Sequence, residues 1–118
     1  MVTMTIKLLI NKLYRQNINF ALYYKRHNKV LAMDSNQELF PAASIIKIPL
    51  LLAWNHLERQ GALHRSEICD LDGEPQVFGA GFAWQMAGRK LPFQDVLLMM
   101  IATSDNLCAN LIIQHIGL

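Results

Sequence analysis

A chain of 118 residues holds one domain or one portion of a larger one. Its apolar share of 53% exceeds the roughly 45–50% usual for soluble domains, and its charged share of 17% falls short of the usual quarter or so. Part of the apolar surface therefore calls for a cover, either polypeptide outside the chain or a second copy of a small dimerising domain. The net charge of +2, concentrated only in the short run Lys25, Arg26 and Lys29, excludes a nucleic-acid footprint, which needs a basic stripe.

The two cysteines, Cys69 and Cys108, make no metal-type spacing with the four histidines, so neither metal nor cofactor is expected. They could pair, but in a mostly helical stretch they read as unpaired, buried thiols. Residues 1–16 open on polar side chains, carry Lys7 and Lys12 and hold only a short apolar run at 8–10, which is no secretory signal. The apolar runs 48–54 and 96–102 are too short to span a bilayer. The expectation is a soluble, unexported chain.

In chain order, Ile6, Leu9, Ile10 and Leu13 stand at i, i+3, i+4 and i+7, one face of a surface helix. Ile18, Phe20, Leu22 and Tyr24 then alternate with Asn19, Ala21, Tyr23 and Lys25, which predicts a half-buried strand. Arg26-His27-Asn28 makes a turn into a shorter strand at 29–33. These are the only two strands in the pattern. A lone hairpin is marginal in water, so its sheet partners lie outside the chain or it packs on helices alone. Pro41 precedes a helix over 44–60 that Gly61 stops, apolar nearly all round from 45 to 54 and so predicted to be buried in a core. Residues 62–88, with the breakers Asp72-Gly73 and Gly79-Ala80-Gly81, read as loop with short helical pieces. Behind Pro92, a helical stripe runs through Phe93, Val96, Leu97, Met100 and Ile101. A break at 103–105 precedes a last helix at 106–116, ended by Gly117.

Lys47 is the only charge between Glu38 and Glu58, and it lies inside the helix expected to be buried. An unpartnered ammonium in apolar surroundings is costly, so its pKa should fall. Ser44, three residues earlier, shares its helical face, which places an amine beside a hydroxyl and is one way to activate a serine nucleophile. The helix N-terminus adds unpaired N–H groups where an acyl oxyanion would develop. The plainer alternative is that Ser44 caps the helix and Lys47 snorkels to solvent. Ser104-Asp105-Asn106, between two apolar helices, offers a hydroxyl to relay a proton and an amide to bind a substrate amide; as an alternative it is an N-cap.

The segment 40–49, Phe-Pro-Ala-Ala-Ser-Ile-Ile-Lys-Ile-Pro, resembles the nucleophile segment of class A β-lactamases and related penicillin-recognising serine hydrolases. Residues 100–106 and 109–111 resemble that family's second motif and the helix after it, and the pair Ser-x-x-Lys and Ser-Asp-Asn belongs to the family's signature. The resemblance implies that Ser44 attacks the lactam carbonyl, Lys47 helps activate it and Ser104 passes a proton to the leaving nitrogen. It further implies that Asn106 binds the substrate's side-chain amide and Asn110 supports the loop bearing a deacylating glutamate. Gly79–Phe82 is similar to one wall of the family's cleft, a shorter match that also fits an ordinary glycine turn.

The implied fold is α/β (α+β) and β-lactamase-like, but partial: an N-terminal helix, a β-hairpin and a mainly helical domain, without the C-terminal sheet strands and helices. Residues 1–118 read as the N-terminal portion of the domain, because no Lys-Thr-Gly motif occurs and no acid follows Asp105. The implied function is β-lactam hydrolysis through an acyl-enzyme, with this chain inactive alone: a truncated product, a fragment left by proteolysis, or one half of a split protein that a second chain completes. The alternatives are a D,D-peptidase acting on cell-wall peptide through the same residues, or a non-catalytic interaction module. A cell-wall role places the family's substrates outside the cytoplasm, which the missing export signal does not favour.

Overall fold

The computed structural model describes residues 2–34 and 38–118. They form two compact units, Met1–Pro41 and Ala42–Leu118.

In the first unit, helix α1 (Val2–Arg15) precedes the antiparallel hairpin β1 (Leu22–Arg26) and β2 (Lys29–Asp34). The strand begins later than the alternation at 18–24 predicts, because the helix end uses those residues. Asn17 takes a left-handed φ of 57°, its N–H donates to the Tyr14 carbonyl, and Ile18 N–H donates to the Leu13 carbonyl. That is a Schellman closure with Asn in the glycine position. At the tip, His27 and Asn28 have φ of 45° and 61°, the two positive values that a two-residue hairpin turn requires. A bulge between Tyr24 and Lys25 shifts the register, so Tyr24 pairs with Ala32 but Lys25 with Val30. Ile6, Ile10 and Leu13 are half-buried and Leu9 is exposed, so the predicted helix face is only partly covered.

The second unit holds the core. Helices α2 (Lys47–Arg59), α3 (Phe93–Ala102) and α4 (Asn106–Ile116) surround the fully buried Trp54, Leu71, Met100, Leu107 and Ile112. The strand count from sequence needs correction, because two further strands, β3 (Ile68–Asp70) and β4 (Lys90–Pro92), pair antiparallel inside and behind the stretch read as loop. Three residues are too few to show a period of two. The ladder also seeds α3: Phe93 N–H donates to the Glu67 carbonyl and Gln94 N–H to the Arg65 carbonyl, each at 2.9 Å. Two of the donors every helix start leaves unpaired are thereby satisfied.

Helix α2 differs from its predicted all-round burial. Leu50, Trp54 and Lys47 are buried, while Ile45, Ile48 and Leu52 are exposed, because α3 and α4 cover one face only. Likewise Phe93, Val96, Leu97 and Met100 of the α3 stripe are buried but Ile101 is exposed. Both helix stops fall where glycine was expected. Gly61 (φ 74°) and Gly117 (φ 79°) close α2 and α4 with the same paired bonds seen at Asn17. Cys69 and Cys108 are free and buried. Burial pushes the Cys69 thiol up to about 11 and the Cys108 thiol further up, so neither is a thiolate at neutral pH.

Candidate active site

The chain approaches α2 through a 3-10 turn, Ala43–Ile46, so Ser44 stands just before the α-helix rather than in its first turn. A 3-10 turn nearly eclipses side chains at i and i+3, which brings Ser44 Oγ and Lys47 Nζ to 3.3 Å. No side chain caps this turn or α2, so the Ser44 hydroxyl is not engaged as a helix cap. Lys47 does not snorkel either; only 4% of it is exposed. Ala43, directly before the serine, is held at φ 46°, a conformation that costs a non-glycine residue about 1–2 kcal/mol.

The second part of the site is the corner between α3 and α4. Thr103 closes α3 by returning its hydroxyl to the Met99 carbonyl at 2.9 Å. Ser104 then takes a left-handed φ of 55°. Its carbonyl accepts from Lys47 Nζ at 2.6 Å and its Oγ at 2.9 Å, while Ser104 Oγ lies 2.9 Å from Ser44 Oγ. Asn106, the first residue of α4, turns Oδ1 to Lys47 Nζ at 2.8 Å.

Lys47 Nζ thus faces four acceptors. Two of them, the Ser104 carbonyl and Asn106 Oδ1, can only accept; the other two are hydroxyls that can also donate. An ammonium has three donors for this set. A neutral amine has two, which suffice for the two obligate acceptors and leave the lone pair toward the hydroxyls. The cage therefore satisfies both protonation states. Burial pushes the Lys47 pKa below its ordinary value, partly opposed by the nearby Asp105 carboxylate. No carboxylate hydrogen-bonds the amine among the described residues.

Asp105 is the N-cap that the Ser104-Asp105-Asn106 motif allows for, and it has a second role that the sequence reading did not foresee. It is fully buried, and its carboxylate accepts three backbone N–H bonds: from Cys108 at 3.0 Å, capping α4, and from Phe82 and Ala83 at 2.8 Å each. Asn106 N–H donates to the Ala80 carbonyl at 3.2 Å. The loop through Gly79, Ala80 and Gly81 is thereby fastened to the corner that presents Ser104 and Asn106. Gly81 (φ 87°) has no room for a Cβ, which would overlap the Asp105 carboxylate and Cα. Gly79 passes beside the Asn106 amide nitrogen, which a Cβ there would approach to 3.7 Å. A signal for Asp105 existed, since it is a lone acid between two apolar helices, the same argument that singled out Lys47.

The other end of that loop is held by Arg89. Its guanidinium donates to the carbonyls of Ala83 and Met86 at 3.1 and 3.2 Å, to Gln76 Oε1 at 2.8 Å and to Asp72, the last as an ion pair at 2.8 Å. The guanidinium spreads five donors over three nitrogens and so reaches all of these partners, whereas an ammonium has three donors on one atom and would leave some unserved. Arg89→Lys is expected to lower stability by about 1–3 kcal/mol, read as a shift in the urea midpoint at unchanged m-value.

Of the residues singled out from sequence, the structure brings Ser44, Lys47, Ser104 and Asn106 into one hydrogen-bonded cluster. Asn110 stands one turn further along α4 and takes no part in that cluster's hydrogen bonds.

The site is thus a buried lysine between two serines and an asparagine, carried on a helical layer, and the comparisons identify the family. The chain belongs to the β-lactamase enzyme family, whose model matches residues 2–118. Among solved structures it is similar to a β-lactamase from Sphaerobacter thermophilus DSM 20745, at 32% identity and a TM-score of 0.60. That match covers 67% of this chain and 30% of the other, so the chain spans less than a third of that protein's length. It accords with the partial β-lactamase-like fold expected from sequence. No curated protein matches the chain.

Proposed function

We infer that the chain carries the acylation machinery of a class A-type serine β-lactamase, with a β-lactam as substrate. The observation that carries this reading is the reach of Lys47 Nζ, which contacts Ser44 Oγ, Ser104 Oγ and Asn106 Oδ1 together. In its neutral form the amine accepts the Ser44 proton, directly or through the Ser104 hydroxyl, as Ser44 Oγ bonds to the lactam carbonyl carbon. The lactam C–N bond then breaks, and Ser104 Oγ gives the nitrogen a proton that Lys47 replaces. Asn106 has Oδ1 committed to Lys47, which leaves its NH₂ to donate to a substrate carbonyl.

Residues 1–118 are read as the N-terminal portion of such a domain, which further polypeptide, in the same chain or in a second one, completes. The short coverage of the similar β-lactamase supports this, as does the exposed apolar face of Ile45, Ile48 and Leu52. A groove of about 300 Å³ between α2 and α3 is lined by Leu51, Leu97, Leu98 and Ile101 together with Arg65 and Gln94. The family asparagine at Asn110 has its role only when that polypeptide is present.

The test is intact-protein mass spectrometry after incubation with benzylpenicillin. A covalent adduct is expected on the chain and none on Ser44→Ala, with no nitrocefin turnover by the chain alone. A persistent lack of adduct would support a non-catalytic interaction module instead. Nitrocefin hydrolysis by residues 1–118 alone, abolished by Ser44→Ala, would overturn the need for further polypeptide.

A further inference from the structure

The unit Met1–Pro41 carries a surface that the acylation chemistry does not use. It holds six lysines and arginines against two acids, whereas Ala42–Leu118 holds five against seven. Within α1 the charges are Lys7, Lys12 and Arg15, with no acid at all. One side of the helix is occupied by the hairpin: Ile6, Ile10 and Leu13 share an apolar cleft with Phe20, Leu22 and Tyr24, and the Tyr14 hydroxyl donates to Asp34 at 2.6 Å. The other side is a stripe of Met4, Leu8, Lys12 and Arg15, spaced i, i+4, i+8 and i+11. Met4 is 67% exposed and Leu8 62%. Three more cations, Lys25, Arg26 and Lys29, are exposed around the hairpin tip, beside the exposed Tyr23 and Val30.

We propose that this unit binds an anionic membrane surface, with α1 in the plane of the interface. Met4 and Leu8 enter the acyl boundary, and Lys12 and Arg15 meet the lipid phosphates. Apolar side chains set among the cations favour lipid over nucleic acid, because a phosphodiester backbone would leave them in water. The contact is superficial, since no helix among the described residues is long and apolar enough to cross a membrane. A cation close to an anionic leaflet raises partitioning roughly fivefold. The surface belongs to Met1–Pro41 and Ser44 and Lys47 to Ala42–Leu118, so the proposal stands whatever becomes of the acylation reading.

The experiment is co-sedimentation of the whole chain with phosphatidylglycerol–phosphatidylethanolamine vesicles and with pure phosphatidylcholine vesicles, at low and high salt. Sedimentation with the anionic vesicles alone, reversed by salt, is expected. The double variant Lys12→Gln/Arg15→Gln should weaken it by roughly 25-fold, the product of two such steps. Leu8→Gln, at an exposed position, should weaken it without changing the charge, and circular dichroism confirms that each variant keeps its helices. Equal binding to both vesicle types, no binding, or a double variant that sediments like the unaltered chain would overturn the proposal. So would tighter retention on polyuridylate than on the anionic vesicles, which would assign the surface to nucleic acid.

Discussion

Asp105→Ala should lower stability by about 3–5 kcal/mol, the largest single loss expected in this chain. The substitution removes one acceptor and strands three N–H donors, those of Phe82, Ala83 and Cys108. A buried donor left unpaired costs about 1–3 kcal/mol. Against a total of about 5–15 kcal/mol for a typical domain, that is a large share. Asp105→Asn keeps one carbonyl oxygen, which can serve Phe82 and Ala83 but not Cys108, so its loss should be intermediate. Gly81→Ala should approach the Asp105→Ala loss by a different route. An alanine at φ 87° is strained by about 1–2 kcal/mol, and its Cβ collides with the carboxylate that fastens the loop. The two effects should not add. Once the Asp105 carboxylate is gone, much of the collision is gone too, so the double variant should lose little more than Asp105→Ala alone. Urea unfolding of the two single variants and the double variant measures this. Full additivity would show that Gly81 acts without Asp105.

The part of the fold legible in the sequence is the part fixed by local chemistry. Helix α4 was readable at both ends, because Asp105 and Gly117 are residue types with a conformational reason to stand there. The hairpin tip was readable from His27-Asn28 for the same reason. Strands β3 and β4 were not, since their pairing is a contact between residues 68–70 and 90–92 that neither segment announces alone. Burial of α2 was half legible. Its composition shows a helix that needs cover, but not that the cover within this chain reaches only Leu50, Trp54 and Lys47. At the candidate site, Lys47 stood out as a charge in an apolar helix, and Ser44, Ser104 and Asn106 followed from their spacing and from the resemblance of the two motifs to a known family. Arg89, and the hold of Asp105 on Phe82 and Ala83, were hidden, because each works through backbone groups of a loop whose path no pattern in the sequence describes. The left-handed φ values of Ala43 and Ser104 were equally invisible, as neither residue type prefers them.

Lys47→Met is expected to slow acylation by orders of magnitude while changing the stability of the fold little. Losing a positioned general base lowers a rate by roughly 10²–10⁴. Fluorescent-penicillin labelling of Ser44 should slow by about that factor. Stability should move far less. Methionine removes a buried charge that has no carboxylate partner, and this relief opposes the loss at the Ser104 carbonyl and Asn106 Oδ1, which are left without their donor, so the net change should lie within about 1–2 kcal/mol of zero. The pH dependence separates this from a packing effect. Because the folded state lowers the Lys47 pKa, the unfolded chain binds more protons between that lowered value and the ordinary 10.5. Unaltered protein should therefore gain stability relative to Lys47→Met as pH rises through that window, and the balance should lie furthest toward methionine near neutral pH. Lys47→Arg provides the control, keeping a charge that cannot act as a base and should lose acylation with no gain in stability. Labelling of Lys47→Met at the unaltered rate would remove the amine from the mechanism. A stability difference constant with pH would show that its charge is not what the fold resists.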